Sequence, residues 1–177
     1  VSKRRAFSGL VRFLYQTRFA AAQGTWVEGF LSLLVEMRRV FGNDLDKVII
    51  LSTIGQQMLL DGRIPKRNYD EWILDPLMER HGRVTNIDAI ARATGIPRES
   101  VRRKVNELIA AQLVTRREGN DLAIAPGTAA RMARSTEISV NMLDHVVSTY
   151  LAMMVDSDLI KAERLVHSPA GHGDDST

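Results

Sequence analysis

The 177 residues include no cysteine. That excludes a disulfide framework and a thiolate metal site, and it fits a reducing cytoplasm. No uninterrupted apolar run approaches the ~18 residues that a membrane span needs, so a cytoplasmic protein with no membrane partner is expected. Aromatics are scarce at 6%. Apolar content rests instead on Leu, Ile, Val, Met and Ala at helical spacing, which points to a mainly α chain. Catalytic signatures are missing as well: there is no phosphate-binding glycine loop, no H-E-x-x-H and no nucleophile elbow. The four histidines, His81, His145, His167 and His172, have no spacing that forces ligands to converge. The expectation is a protein that is not an enzyme, with no catalytic residue, no metal and no cofactor.

What is present is charge with a direction. The net charge is only +3, but Lys3, Arg4, Arg5, Arg12 and Arg18 stand in an acid-free front stretch. From Ser135 onward, Glu137, Asp144, Asp156, Asp158, Glu163, Asp174 and Asp175 face only Lys161 and Arg164. A basic front and middle with an acidic rear suits a one-sided nucleic-acid binder, while solvated helix faces are the bland alternative.

Residues 83–126 carry the densest pattern. Thr85 and Asp88 stand in capping-box spacing ahead of Ile87, Ile90 and Ala91, so a helix is expected to start at Thr85. Gly95 stops it, and Pro97 stands where a second helix begins. That second helix, Arg98 to Gln112, has Val101, Val105, Leu108 and Ile109 on one side. Glu99, Ser100, Arg102, Arg103 and Asn106 lie on the other, with Arg98 and Lys104 on the flanks. Arginine fits guanine O6 and N7 with two parallel bonds, asparagine does the same for adenine, and glutamate can accept from cytosine N4. Residues 114–117 and 121–125 then flank the turn Glu118-Gly119-Asn120, a hairpin signal that would offer Arg116, Arg117 and Asn120 to a DNA backbone.

This helix, turn, basic helix and hairpin resembles the winged helix-turn-helix of bacterial regulators, nearest to the MarR and IclR types. The shared cadence is matched by Ile90-Ala91, Thr94-Gly95-Ile96, Val101, Arg103, Val105, Leu108 and Leu113-Val114. The match covers about a quarter of the chain. Two features depart from it: the wing is short and lacks an acidic-arginine motif, and Ala111-Gln112 stands where glycine commonly precedes Leu-Val. The resemblance implies a homodimer on a two-fold-symmetric site in double-stranded DNA, with the second helix in the major groove and the wing on the backbone.

The rest of the chain reads as a helical body. Residues 6–20 put Phe7, Leu10, Val11 and Leu14 on one face among arginines. The pattern mimics a transit peptide or a membrane-surface helix, but packing on the body or on a partner subunit is the expectation. A helix over 25–41 carries Val27, Phe30, Leu31, Leu34, Val35 and Phe41, and ends at Gly42-Asn43-Asp44 with Asn43 or Asp44 capping the next. The helix from Leu45 to Leu60 is apolar nearly all round and should be buried on several sides. Residues 62–68 read as a basic linker, and 69–81 as the supporting helix of the reading head, interrupted or restarted at Pro76. Past Pro126-Gly127, the residues Val140, Leu143, Val146, Val147, Tyr150, Leu151 and Met154 form a seam on a helix that runs toward Val166.

The expected architecture is therefore mainly α. A winged helix-turn-helix of three helices and a short β-hairpin wing occupies 69–126. It is flanked by helical dimerisation regions at 1–62 and 128–166, with a disordered tail over 167–177. The expected DNA-contacting residues are Thr85, Arg98, Glu99, Ser100, Arg102, Arg103, Asn106, Arg116, Arg117 and Asn120. Gly55 with Ser52-Thr53 either lines a small-molecule effector pocket or lets helices approach closely, and Trp26, Trp72 and Met58 are pocket walls or core. The expected function is sequence-specific transcription regulation. The alternative is a winged-helix protein–protein module in a chromosome-partition or replication assembly. The DNA reading requires Arg102 and Arg103 to stand clear of the protein's own carboxylates.

Overall fold

The computed structural model describes residues 2–59, 71 and 84–156. Several expectations lie outside them: the linker 62–68, the supporting helix 69–81 with Trp72 and Pro76, the run beyond Asp156, the 167–177 tail, and His81, His167 and His172. Among the described residues the chain is mainly helical with one small antiparallel sheet. The order is α1 (Ser2–Thr17), α2 (Phe19–Phe41), α3 (Leu45–Leu59), α4 (Ile87–Thr94), α5 (Arg98–Ala110), β1 (Val114–Arg116), β2 (Leu122–Ile124), α6 (Thr128–Arg131) and α7 (Ala133–Asp156). Two compact units divide it: Leu33–Ile138, and Val1–Ser32 with Ser139–Thr177.

In the Leu33–Ile138 unit, α3 packs against α4, α5 and β2. Ile50, Leu51, Ile54 and Met58 of α3 are buried together with Ile90, Ile96, Val101, Val105, Leu108, Leu113, Val114, Leu122 and Ile124. α3 belongs to the unit that contains the two short helices and the hairpin. The reason is apolar area. The eight residues of α4 and thirteen of α5 present narrow apolar stripes, and the stripe of α3 closes the core that they begin. The expectation that α3 is buried on several sides is likewise corrected, since Leu45, Ile49 and Leu59 are exposed.

Local chemistry sets the ends of these elements. Gly42 and Asn43 both have positive φ, and the backbone N–H of Lys47 donates to Asp44 Oδ1 at 3.3 Å, so Asp44 caps α3. The cap of α4 is Asn86, whose side chain accepts from the Ala89 N–H at 2.9 Å. Thr85 was expected there. Its side chain is instead buried, and its backbone pairs in both directions with Leu122 at 3.1 and 2.7 Å, extending the small sheet by one bridge. A residue already paired as a strand cannot also serve as the cap of a helix one step later. Gly95 ends α4 with φ 73°, its N–H bonded to Ala91. β1 and β2 pair with Val114 opposite Ile124 and Arg116 opposite Leu122.

The other unit is built from the helical ends of the chain. Leu14, Ala22, Met153 and Met154 are buried together, with Leu10, Tyr15 and Tyr150 around them. The break between the first two helices falls at Arg18, inside the stretch expected to be one helical face over 6–20, and the second helix starts at Phe19 rather than at 25. There the Arg18 N–H still bonds Leu14 and the Ala22 N–H bonds Arg18, so the chain bends without leaving helical geometry for long. Gly29 of α2 lies against α7, where a Cβ in its place would overlap Met142 Cγ. The expected seam on α7 divides in two. Met153 and Met154 are buried, Val146 and Tyr150 are half-buried, and Val140, Leu143, Val147 and Leu151 are exposed. α7 has no uninterrupted apolar run of membrane length, yet by length and overall composition it passes as long and apolar enough to cross a bilayer, and one such helix is weak evidence that shows neither a membrane nor its absence.

Candidate nucleic-acid interface

The interface starts from the back of α5. Val101 and Val105 are 0% exposed and Leu108 is 1% exposed, so the helix cannot rotate without exposing them. Burial at ~25 cal/mol per Å² of apolar surface fixes the opposite face outward. On that face Glu99, Arg102, Arg103 and Asn106 are exposed, and Ser100 is half-buried.

A groove gathers residues from three elements. Asn86 and Asp88 come from the start of α4, Arg98, Arg102 and Asn106 from α5, and Arg116, Gly119 and Asn120 from the hairpin. The fold thus brings five of the ten expected contact residues onto one concavity: Arg98, Arg102, Asn106, Arg116 and Asn120. Glu99, Ser100 and Arg103 line a second hollow along α5 that shares Arg102 and Asn106 with the first. Thr85 is not brought to this surface; its side chain is buried. Arg117 is half-buried, and its backbone N–H donates to Asp121 O at 2.8 Å across the hairpin mouth.

The arginines do not stand free. Arg98 Nε donates to Asp88 Oδ1 at 2.5 Å, and Arg98 Nη1 lies 3.5 Å from Glu99. The hydrogen bond it donates to Asp88 holds the Arg98 guanidinium pKa above its ordinary value. Arg102 Nε donates to Glu99 Oε2 at 2.8 Å, and Arg103 Nη1 donates to Glu107 Oε1 at 3.1 Å. The expectation of arginines clear of the protein's own carboxylates is corrected. The spacings of three and four along α5 make such pairs nearly automatic once Glu99 and Glu107 share the face. Arg102 and Arg103 nevertheless keep 54% and 63% of their side chains exposed, and exposed pairs contribute only ~0–1 kcal/mol.

Asn106 is also engaged, accepting from Arg116 Nη2 at 2.9 Å. A guanidinium can only donate, so the bonded atom is the amide oxygen. The two-bond adenine contact expected of Asn106 uses the same oxygen, whose second lone pair is left by the single bond from Arg116. What the contact provides as it stands is a fixed crossing of hairpin and helix.

Lys104, expected on a flank of the basic face, is buried on the other side of α5. Its ammonium meets both carboxylate oxygens of Asp44 and lies 3.4 Å from Asp46. Beside it, Lys47 Nζ lies 2.6 Å from Glu107 Oε2, and that bond draws the Glu107 pKa down. These two bridges tie α5 to the start of α3, and sequence reasoning missed both. The only available signal was the position of Lys104, three residues after Val101 on the apolar stripe.

A Cβ at Gly55 would stand 3.9 Å from Ile124, an ordinary van der Waals contact, and the Thr53 hydroxyl bonds its own helix at Ile49 O. Met58 is core, and Trp26 stacks on Phe30 with ring centroids 4.8 Å apart. An apolar hollow lies elsewhere, at the α2–α3 corner, lined by Leu34, Met37, Leu45 and Val48 with Arg38 and Asn43 at its edge. Among the described residues no group of three or more histidine, aspartate or glutamate side chains could hold a metal ion. No protein-family model matches the chain, and comparison with curated proteins and with solved structures gives no match.

Proposed function

We propose that the chain is a DNA-binding transcriptional regulator whose Leu33–Ile138 unit is a winged helix-turn-helix. In this reading α4 and α5 are the two helices of the motif, β1 and β2 are the wing, and α3 braces them from behind. α5 enters the major groove of double-stranded DNA, and Arg116 and Asn120 follow the adjoining backbone. The observation that carries the proposal is the shared groove of Arg98, Arg102, Asn106, Arg116 and Asn120 in front of a fully buried Val101–Val105 back. A protruding helix N-terminus flanked by a hairpin is the geometry by which such motifs present side chains to base edges. Arg102 and Arg103 do not stand clear of carboxylates as the reading first required; what supports it is that they keep 54% and 63% of their side chains exposed, and that an exposed pair is worth only ~0–1 kcal/mol against ~1–3 kcal/mol for a good base contact.

The regulator acts as a homodimer in the cytoplasm, and its partner surface is the exposed apolar face of α2 and α7. Phe19, Trp26, Val27 and Leu31 on α2, and Val140, Leu143, Val147 and Leu151 on α7, are exposed in the single chain. A row of large apolar side chains of that extent marks an interaction surface, and a two-fold dimer matches a two-fold operator. The hollow of Leu34, Met37, Leu45 and Val48 is the better place for a small-molecule effector than Gly55.

Selection from random duplexes, followed by binding isotherms in a salt series, tests the proposal. Enrichment of a two-fold-symmetric sequence is expected, with affinity that falls as salt rises by a log–log slope of ~0.9 for each phosphate contacted. Equal affinity for every duplex would overturn it.

A second reading is favoured by one observation: Arg98, Arg102 and Arg103 are each matched by a carboxylate, so the α5 face is nearly balanced in charge. A balanced face of long polar side chains also suits a protein–protein module in a chromosome-partition or replication assembly. Such a module would show weak, sequence-blind DNA binding and a stable hetero-complex.

A further inference from the structure

The carboxylates among the arginines differ in which guanidinium nitrogen they take. Glu99 accepts from the inner nitrogen of Arg102, Nε, at 2.8 Å, and Asp88 accepts from the inner nitrogen of Arg98. Glu107 takes a terminal nitrogen of Arg103, Nη1, at 3.1 Å. The distinction matters because the fork that fits guanine O6 and N7 requires two parallel N–H donors on the outer side of the guanidinium. A carboxylate on Nε leaves both terminal nitrogens of Arg102 outside the bond and fixes the plane of the group. A carboxylate on Nη1 occupies one prong of the fork. Arg102 also lines both the groove shared with the hairpin and the hollow along α5, whereas Arg103 lines only the second.

We infer that Glu99 is a positioning residue for base recognition: it orients Arg102 as the guanine-reading side chain, while Arg103 serves the phosphate backbone. This rests on the DNA-binding reading above and names the base class that its central contact selects. Holding Arg102 in one plane removes rotamer freedom before binding, so less is lost when the two bonds to guanine form. It also explains why a negative charge stands at the front of a helix that meets phosphates. Glu99 repels the backbone in every sequence alike, and it improves the contact only where a guanine lies under Arg102. Its effect is therefore on discrimination and not on total affinity.

The test is a set of isotherms for the wild-type chain, Glu99→Ala, Arg102→Ala and Arg103→Ala, each against the selected duplex and against duplexes with one base pair changed at a time. Glu99 is exposed, and alanine is a good helix former, so the variant keeps its fold; a thermal melt checks this. Arg102→Ala is expected to abolish the preference for G·C at one base pair. Glu99→Ala is expected to reduce that same preference about tenfold while leaving affinity for unrelated DNA equal or higher. Arg103→Ala is expected to weaken all duplexes alike and to lower the salt slope by ~0.9. If Glu99→Ala retains full discrimination at every base pair, or if Arg103 carries the guanine preference, the inference is overturned and the DNA reading stands. If the wild-type chain selects no sequence at all, the DNA reading itself has failed and the inference goes with it.

Discussion

Lys104 turns away from the arginines beside it in sequence and places its ammonium on the carboxylate of Asp44, the residue that caps α3. Only 10% of the Lys104 side chain and 22% of the Asp44 side chain remain exposed. One aspartate thus closes the start of α3 and pins the middle of α5, so the presented helix is held at an angle set by α3. Burial alone would raise the Asp44 pKa, but the hydrogen bonds from Lys104 and from the Lys47 backbone outweigh it and leave it below the ordinary carboxylate value. The hydrogen bond to Asp44 raises Lys104 above the ordinary lysine value against the cost of burial.

Replacing Asp44 with asparagine keeps a capping side chain and removes the charge. The Asp44→Asn chain is expected to lose about 2 kcal/mol near neutral pH, because Lys104 remains buried and, among the described residues, keeps Asp46 as its carboxylate partner. A depressed carboxylate pKa gives stability that is present above the unfolded value of about 3.9 and lost as pH falls through the folded one. The raised Lys104 pKa gives stability that is present below about 10.4 and lost above it. The gap between wild type and variant should therefore be level between about pH 5 and 9 and should narrow at both extremes. Urea unfolding across pH measures it, and a gap that widens in acid would contradict the assignment.

Two glycines of α2 should respond in opposite senses to the same change. Gly24 has nothing within 4 Å of a built Cβ, so Gly24→Ala is expected to gain about 0.5–1 kcal/mol from helix propensity. At Gly29 the new methyl meets Met142 at both Cγ and Cβ, and overpacking of about 1–3 kcal/mol offsets that gain. Paired thermal melts decide the point; equal stabilisation by both alanines would show that α2 and α7 are not in contact at Gly29.

Charge placed on the exposed apolar row of α7 should separate subunits without unfolding them. Leu143→Asp and Val147→Asp are expected to convert dimer to monomer at micromolar concentration in sedimentation velocity, with helical circular dichroism retained. A wild-type chain that sediments as a monomer at the highest soluble concentration would remove the dimer from the proposal.

Truncation of the buried back of α5 should act through the fold. Leu108→Ala is expected to destabilise by about 2–5 kcal/mol, because that side chain is enclosed by the α3–α5–hairpin core. Arg103→Ala should leave the melting temperature unchanged and still reduce DNA binding. If Leu108→Ala were as stable as wild type, the described packing of α5 would be wrong.

The elements were more legible than their partners. Gly95, the Val101–Val105–Leu108 stripe and the Glu118-Gly119-Asn120 turn fell where short-range chemistry puts them, since left-handed glycine, helical period and hairpin geometry act within a few residues. The cap of α4 was misplaced by one residue because Thr85 and Asn86 are both capping types, and a long-range bridge to Leu122 decided between them.

By itself, then, the sequence determined that the described chain is mainly α, that α4 stops at Gly95, and that Arg102, Arg103 and Asn106 point outward from α5. Periodicity and capping are local, and a residue's neighbours at three and four positions carry most of that information. Only the tertiary structure decided that α3 closes the core of the α4–α5–hairpin unit, that Lys104 is buried on Asp44, and that Arg98 meets Asp88 of the neighbouring helix. Those outcomes depend on which apolar stripe finds which, and on charges sixty residues apart meeting in space, and no local pattern encodes that choice.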